Sequence, residues 1–261
     1  MPTRDETLEI DVGDHRIEAT LIVPDTRMPG VLFLHGWGGS QAQYASRARE
    51  IAALGCACLT VDLRGHARTE AQRTSVTRDD NLRDALHAYD ALAREDAVDA
   101  DRIAVLGSSY GAYLGAILTT LRPVRWLGLR APALYRDSDW HLPKLSLYQR
   151  QDLPAYRRMK LGPQDNRALA AAGDYRGDVL LVESGGDRIV PHEVIENYRN
   201  AFIRARSLTY RVLDDADHAL SQPEWRAAAT AVLVKWMTEM MKPAAAMRSA
   251  TGESAAQEIA T

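Results

Sequence analysis

Apolar and polar residues follow each other along the chain in patterns that predict strands first and helices later. Residues 7–12 and 15–22 have the pattern of two strands joined by the short turn at Gly13-Asp14. Strands joined by so short a turn must be antiparallel. At 31–35 the run VLFLH is continuously apolar up to its final histidine, which is typical of a strand buried on both faces. The pattern therefore predicts an antiparallel pair followed by a buried sheet.

The rest of the chain alternates between strand-like apolar runs and segments with helical spacing of apolar residues. Further strands are predicted at 56–63, 102–107, 124–131, 178–185 and 207–213. Helices are predicted between and after them at 41–54, 79–95, 110–121, 193–205 and 223–241. Strands that alternate with helices form βαβ units and a parallel sheet. We therefore predict an α/β fold with a mostly parallel central sheet of about eight strands and helices on both faces.

One long segment does not follow this alternation. It lies between the strands that are predicted to end near Ala131 and to begin near Asp178. A structureless loop of this length is uncommon in a compact domain, so we expect a partly helical insertion at about 133–175 that forms a cap over the site. We expect one domain, residues 1–242, to carry this cap. The small and polar residues 243–261 are expected to form a disordered tail.

The composition is that of a globular protein, with 46% hydrophobic and 26% charged residues in a chain of 261. A formal net charge of -3 gives no basic excess for binding nucleic acid or an anionic membrane. No apolar run is long enough to span a bilayer and no secretory pattern is seen, so we expect a cytoplasmic protein. The only two cysteines, Cys56 and Cys58, are expected to be free and buried.

A candidate nucleophile lies in the sequence GSSYG at 107–111, which matches G-x-S-x-G around Ser109. The motif alone can occur by chance in a sequence of this length. Here, however, it directly follows the predicted strand 102–107 and directly precedes the predicted helix 110–121. A serine on so tight a strand-to-helix turn is held in a strained conformation that lifts its hydroxyl out of the sheet. The helix N-terminus also favours negative charge beside it. We therefore predict that Ser109 is a nucleophile.

A serine hydroxyl needs a base, and the base needs a carboxylate to orient it. His218 lies between the last strand and the last helix, at the carboxyl edge of the sheet where catalytic groups collect. Asp187 follows the strand 178–185 through a Gly-Gly turn and completes the order Ser, Asp, His. Asp217, the neighbour of His218 in sequence, remains an alternative that we rank below Asp187.

An oxyanion that forms at Ser109 needs backbone N–H donors. One is expected from Tyr110, the residue after the serine. The other is expected from the loop HGWGG at 35–39, which follows a buried strand at the same edge of the sheet. We assign this second donor to the amide of Trp37.

In this order, the motifs resemble those of the α/β-hydrolase superfamily, whose members include serine esterases of the dienelactone-hydrolase type and serine aminopeptidases. The matching motifs are HGWGG (35–39), VDLRGHA (61–67), GSSYG (107–111), GGDRIVP (185–191) and DH (217–218). The similarity covers most of residues 7–240 and implies nucleophile, acid and base roles for Ser109, Asp187 and His218. It also implies the two oxyanion amides named above. In VDLRGHA, Ala67 occupies a position at which the corresponding segment of the superfamily usually has glycine.

The interpretation that follows is a serine hydrolase that cleaves a small-molecule carboxylic ester through an acyl-enzyme, with no metal or other cofactor. Because the nucleophile is serine, the aspartate chemistry of haloalkane dehalogenases and epoxide hydrolases is disfavoured. Amide or peptide hydrolysis would use the same three side chains. Acyl transfer, a lyase reaction and a non-catalytic ligand-binding role also stay open, because a fold does not fix a function.

The predicted cap carries aromatic residues among basic ones. As candidate substrate-binding residues we assign Trp140, Tyr148 and Tyr156, which would contact an aromatic or anionic part of an ester. An amphipathic lid, with its charges in water and its aromatic rings on the core, explains the same pattern and is the interpretation that we favour.

Overall fold

A computed structural model describes residues 3–24 and 28–242, so the tail expected at 243–261 lies outside the described residues. One sheet contains eight strands in the order β1-β2-β4-β3-β5-β6-β7-β8. The strands are β1 (Thr3–Val12), β2 (His15–Pro24), β3 (Met28–Leu34), β4 (Ala57–Val61), β5 (Val98–Ser108), β6 (Trp126–Arg130), β7 (Asp178–Ser184) and β8 (Ser207–Leu213).

The pairing of the strands confirms the predicted sheet. β1 and β2 are antiparallel around a turn in which Gly13 has a φ of 60°, a conformation that glycine adopts without steric cost. β2 is also antiparallel to β4, and every later pair is parallel. The carboxyl ends of β3, β5, β6, β7 and β8 therefore meet at one edge of the sheet.

Helices cover both faces of the sheet, as predicted. The helices are α1 (Ala45–Ala52), α2 (Arg78–Arg94), α3 (Tyr110–Leu118), α4 (Leu147–Arg150), α5 (Leu153–Arg157), α6 (Arg167–Asp174), α7 (His192–Ala201) and α8 (Pro223–Met241). Buried side chains of α2, α3, α6 and α7 form one core with the sheet, and those of α1 and α8 form the other. None of the helices in the described part of the chain is both long and apolar enough to cross a membrane.

Strand β3 is buried on both faces, which explains its continuously apolar sequence. Leu32 and Leu34 point into the core under α2 and α3, whereas Val31 and Phe33 point into the core under α1 and α8. Successive side chains of a strand face opposite sides, so a strand between two helical layers needs apolar residues at every position. Cys56 and Cys58 are free and buried in the second core, as expected.

The segment between β6 and β7 is partly helical, as expected, and contains α4, α5 and α6. Hydrogen bonds and aromatic contacts attach this segment to the helical layer of α2 and α3. The guanidinium of Arg78 on α2 donates to the carbonyl oxygens of Arg136 and Ser138 at 2.7 Å each, and the Tyr135 ring packs on the Tyr113 ring of α3. Because α6 contacts α3 and α7, this part of the segment belongs to the layer that covers the sheet.

Glycine is required where α3 begins. A β-carbon on Gly111 would collide with the carbonyl oxygens of Leu34 and His35, and one on Gly107 would lie 2.5 Å from the backbone of Ala112. Only glycine at these two positions lets α3 start directly against the ends of β3 and β5. The close approach places Ser109, midway between the two glycines, at the carboxyl edge of the sheet.

Candidate active site

Ser109 occupies the junction between β5 and α3 in a strained backbone conformation. Its φ is 53° and its ψ is −112°, a region that residues with a β-carbon rarely adopt. Its amide donates to the carbonyl oxygen of Arg130 at 2.8 Å, and its carbonyl oxygen accepts from the amides of Tyr113 at 3.1 Å and Ala133 at 3.0 Å. The turn predicted around this serine is therefore present and is held by three hydrogen bonds.

The structure brings Ser109, His218 and Asp187 together in one chain of hydrogen bonds. His218 Nε2 lies 2.9 Å from Ser109 Oγ, and His218 Nδ1 lies 2.6 Å from Asp187 Oδ2. The other carboxylate oxygen of Asp187 accepts from the amides of Ile189 at 2.8 Å and Val190 at 2.9 Å. Three separate junctions, β5 to α3, β7 to α7 and β8 to α8, supply these side chains at the same edge of the sheet.

The carboxylate of Asp187 is kept ionised. Burial alone would raise its pKa, but the hydrogen bond from His218 and those from the backbone amides outweigh burial and hold the pKa below its ordinary value. An imidazole that donates from Nδ1 to this carboxylate has Nε2 free to accept a proton from Ser109 Oγ. The arrangement can therefore remove the serine proton and hold the positive charge that results.

The carboxylate of Asp217, the alternative to Asp187, is hydrogen-bonded to Ser221, whereas the His218 ring is hydrogen-bonded to Asp187. The two carboxylate oxygens of Asp217 accept from the amide of Ser221 at 2.9 Å and from the hydroxyl of Ser221 at 2.5 Å. These hydrogen bonds lower the pKa of Asp217 and fix the start of the turn that leads to α8. The structure therefore places Asp187, and not Asp217, against the His218 ring.

The two predicted oxyanion donors belong to segments that adjoin Ser109. A β-carbon on Gly36 would be 3.3 Å from Ser109 Cβ, so the loop that carries Trp37 runs directly beside the serine. The amide of Trp37 has no backbone acceptor within residues 3–24 and 28–242. The amide of Tyr110 is the first of α3, a position without an intrahelical acceptor. Both amides are thus available to a ligand at Ser109.

Two buried histidines form hydrogen bonds between the loop of Trp37 and the loop after β4. His35 Nε2 accepts from the amide of Leu63 and His66 Nε2 accepts from the amide of Gly38, both at 3.0 Å. Each ring donates from Nδ1 to a nearby carbonyl oxygen. Burial lowers the pKa of His35 to about 3 and lowers that of His66, so both rings stay neutral. Both histidines lie in the motifs HGWGG and VDLRGHA, but nothing in the spacing of these motifs predicts this positioning role.

Ala67 lies at the end of the same loop with a φ of 48°. A β-carbon in this left-handed region costs about 1 kcal/mol relative to glycine, which explains why glycine is usual in the segment that this loop resembles. The Thr69 hydroxyl donates to the carbonyl oxygen of His66 at 2.9 Å and accepts from the amide of Gly65 at 3.1 Å. These side-chain hydrogen bonds hold the turn despite the alanine.

A cavity of about 410 Å³ opens beside Ser109, a size suited to a small organic ligand. It is lined by Gly36, Trp37, Gly38, Gly39, Gln43, Tyr44, Arg47, Ser108, Ser109, Arg130, His218, Ala219, Leu220 and Arg226. Three of these residues are arginines, none is acidic and none comes from 133–175. Within the described ranges, no group of three or more His, Cys, Asp or Glu side chains is placed to hold a metal ion.

The structure does not bring the candidate substrate-binding residues of 133–175 to this cavity. Trp140 is buried under the guanidinium of Arg167, which lies 4.0 Å from the centre of its ring. Tyr156 is also buried, and its hydroxyl accepts from Asn166 at 3.1 Å. Tyr148 is 52% exposed. The first two rings are used for packing on the domain, as in the amphipathic-lid interpretation.

Lys144, in the same segment, is a buried cation whose position the sequence pattern does not predict. Its side chain is fully buried, and its Nζ has no hydrogen-bond partner among the described residues. Four ring centres lie within 5.1 Å of Nζ, those of Trp37, Tyr110, Tyr135 and Tyr148. Burial lowers the pKa of the ammonium group to about 8, while the ring faces attract it. The ammonium group of Lys144 therefore lies against the rings of both predicted oxyanion residues.

Replacing this lysine by methionine is expected to change how stability depends on pH. The pKa of Lys144 is about 8 in the folded protein and 10.5 as the ordinary value. Between these values the unfolded chain binds more protons, so the wild type gains stability as pH rises through this window, by about 3 kcal/mol. Urea unfolding of the wild type and K144M at pH 7 and at pH 10.5 measures the difference.

K160M is the matched control, because Lys160 is exposed in the same segment. Its unfolding free energy is expected to follow that of the wild type across the window, because the ammonium group of Lys160 is in contact with water in the folded as well as the unfolded chain. A difference between the wild type and K144M that is constant with pH would contradict the assigned pKa.

Comparison with known proteins identifies a family and a fold. The model of the alpha/beta hydrolase family matches residues 31–229. An uncharacterized protein of Mycobacterium tuberculosis, found in two strains, is 29% identical over 170 residues. That alignment covers 64% of this chain and 56% of the mycobacterial protein, so the chain spans little more than half the length of these curated relatives.

Solved structures with the same fold include three whose names state an activity or a ligand. Dienelactone hydrolase from Anabaena variabilis is 18% identical, with a TM-score of 0.66 over 91% of this chain and 98% of that one. Est1E from Butyrivibrio proteoclasticus with ferulic acid bound is 16% identical, with a TM-score of 0.70 over 90% and 99%. The acylaminoacyl peptidase of Pyrococcus horikoshii is 15% identical, with a TM-score of 0.65 over 92% and 44%.

Proposed function

The chain belongs to the alpha/beta hydrolase family, and on that premise we propose that it is a serine hydrolase that cleaves a carboxylic ester. Ser109 is the nucleophile, His218 the general base and acid, and Asp187 the carboxylate that orients His218. The observation that carries the proposal is the hydrogen-bonded chain of these three side chains at a cavity large enough for a small substrate.

Acylation begins with the attack of Ser109 Oγ on the ester carbonyl carbon. His218 Nε2, at 2.9 Å from Oγ, takes the proton as the new C–O bond forms. The carboxylate of Asp187 stabilises the imidazolium, because its Oδ2 accepts a hydrogen bond from the Nδ1–H group of His218, with 2.6 Å between the two atoms. The imidazolium then gives its proton to the departing alcohol, which leaves an acyl group on Ser109.

The negative charge of the tetrahedral intermediate falls on the former carbonyl oxygen. The backbone amides of Trp37 and Tyr110 stabilise it, together with the positive end of α3. Deacylation repeats the sequence with water, which loses its proton to His218 and attacks the acyl carbon. The products are a carboxylic acid, an alcohol and the regenerated Ser109 hydroxyl, and no cofactor takes part.

The lining of the cavity favours an ester over the substrate of an aminopeptidase. A free peptide N-terminus carries an ammonium group that needs a carboxylate partner when it is taken out of water. Among the described residues, no acidic side chain lines this cavity, whereas three arginines do. The structural neighbours that are named Est1E and dienelactone hydrolase also support an ester-type substrate. These points favour a neutral or anionic acyl compound.

Profiling of model substrates tests the proposal. The wild-type protein is given 4-nitrophenyl esters of increasing acyl length beside aminoacyl 4-nitroanilides, and kcat/KM is measured for each. We expect the esters to be cleaved with the higher kcat/KM. A preference for the anilides would replace ester hydrolysis by amide hydrolysis. Turnover of neither class, with no labelling by a fluorophosphonate probe, would indicate a ligand-binding member of the family.

A further inference from the structure

Three arginines reach the cavity beside Ser109 from three different elements. Arg47 comes from α1, Arg130 from the end of β6 and Arg226 from α8. Within residues 3–24 and 28–242, none of the three forms an ion pair with an aspartate or a glutamate. Guanidinium groups that line a cavity without a carboxylate partner favour the binding of an anion.

Arg130 is the arginine most closely tied to the nucleophile. Its carbonyl oxygen accepts the amide proton of Ser109 at 2.8 Å, so its backbone lies beside the serine on the neighbouring strand. Its guanidinium donates to the neutral hydroxyl of Ser184 at 3.2 Å. Burial lowers the pKa of Arg130 from its ordinary high value, yet a guanidinium remains charged in proteins. The charge is thus partly desolvated, and no carboxylate of the described residues is in direct contact with it.

Ser108 places an unpartnered donor beside this arginine. It is 3% exposed, it lines the same cavity, and its Oγ has no hydrogen-bond partner in the described part of the chain. In the sheet, Ser108 on β5 is paired in register with Arg130 on β6, so the two side chains leave the same face as neighbours. A buried hydroxyl without a partner is costly, and an acceptor supplied by a ligand would remove that cost.

Neutral acceptors hold the other two arginines in place. Arg47 donates from Nε to the Thr230 hydroxyl at 3.2 Å. Arg226 donates to the carbonyl oxygens of Leu220 at 2.9 Å and Ser221 at 2.7 Å. Such contacts fix the guanidinium groups without neutralising them. The positive charge on this wall of the cavity is therefore positioned and available.

We propose that the ester substrate carries a carboxylate, and that Arg130 and Ser108 bind it while Arg47 and Arg226 add attraction at the wall and rim of the cavity. A carboxylate has two acceptor oxygens, which match one guanidinium fork and one hydroxyl donor. This inference rests on the proposed ester hydrolysis and names its substrate class. The basic residues of 133–175, by contrast, lie outside the cavity lining.

A matched pair of esters tests the inference. Mono-4-nitrophenyl adipate and 4-nitrophenyl hexanoate have the same leaving group and the same number of acyl carbons, but only the adipate ends in a carboxylate. The wild type is expected to have the higher kcat/KM for the adipate. In R130Q the ratio of kcat/KM for adipate over hexanoate is expected to fall about 10- to 100-fold, because a hydrogen bond to a charged group is lost.

Two further variants keep the result interpretable. R49Q is the matched control, because Arg49 is on the same helix as Arg47 but pairs with Asp5 outside the cavity; its ratio is expected to equal that of the wild type. S108A removes a single unpartnered hydroxyl, and its ratio is expected to fall by about three- to tenfold. If R130Q hydrolyses neither the adipate nor the hexanoate ester, the ratio of kcat/KM values in S108A decides whether the carboxylate is recognised.

The outcomes separate this inference from the proposed function. Hydrolysis of both esters, with a ratio near one that neither R130Q nor S108A changes, would overturn carboxylate recognition and leave ester hydrolysis standing. Hydrolysis of neither ester by the wild type would overturn the proposed function itself, and carboxylate recognition with it. A wild-type preference for the adipate that R130Q abolishes supports both.

Discussion

Ser109→Ala is expected to lower kcat for ester hydrolysis by about 10⁴- to 10⁶-fold, the range found when a nucleophilic serine is removed from a triad. Alanine has no oxygen to attack the carbonyl carbon, so no acyl-enzyme forms. The amides of Trp37 and Tyr110, the proposed oxyanion donors, remain in the variant and are expected to give a small residual rate. The measurement is kcat with a 4-nitrophenyl ester, together with labelling by a fluorophosphonate probe, which should disappear.

The control for this substitution is Ser75→Ala. Ser75 is exposed, and its hydroxyl donates only to the carbonyl oxygen of Gln72 among the described residues. This variant should keep both the activity and the labelling of the wild type. Thermal unfolding of S109A should match that of the wild type, which shows that the loss is chemical. Labelling that persists in S109A would mean that another residue is the nucleophile.

The second large effect is expected from Asp187→Asn, which should lower kcat by about 10⁴-fold with little change in folding. The asparagine amide can donate to His218 Nδ1 as well as accept from it, so it no longer selects the tautomer that leaves Nε2 free for Ser109. It also has no charge to stabilise the imidazolium. The measurement is kcat for the same 4-nitrophenyl ester at several pH values, with thermal unfolding as the folding check.

Asp217→Asn is the discriminating control, because Asp217 is next to His218 in sequence but hydrogen-bonds to Ser221. Its kcat should stay within a few-fold of the wild-type value. A larger loss in D217N than in D187N would assign the orienting carboxylate to Asp217 and contradict the geometry of the His218 ring.

The sequence predicts the fold well where periodicity is strong and continuous. The last helix was predicted at 223–241 and extends over Pro223–Met241. The helix predicted at 41–54 instead begins with a 3₁₀ turn and ends earlier, with its α-helical part at Ala45–Ala52. Ends of elements depend on local hydrogen bonds that periodicity does not contain, so element types are predicted better than their boundaries.

The meeting of Ser109, His218 and Asp187 was predictable because topology alone brings them together. Each follows a strand whose carboxyl end reaches the same edge of a parallel sheet. The candidate substrate-binding rings of Trp140 and Tyr156 are instead buried outside the cavity lining. Aromatic spacing does not distinguish a ring that faces a ligand from one that packs on the core.

The arginines of the cavity were not predictable from the sequence. Arg47, Arg130 and Arg226 come from a helix, a strand and another helix, and no spacing rule connects them. What makes them notable is the lack of a carboxylate partner within the described ranges, which is a property of three-dimensional packing. The burial of Lys144 among aromatic rings was not predictable for the same reason, because these rings come from separate segments of the chain.

The conformation of Ser109 has a consequence for protein engineering. The hydrogen bonds that hold its φ at 53° end on Arg130, Tyr113 and Ala133, and two of these residues lie outside the helix that the serine opens. The sequence GSSYG thus does not determine the backbone conformation of Ser109 by itself. Transplanted to the strand-to-helix junction of another scaffold, it would relax unless the neighbouring strand and the start of the following loop were moved with it.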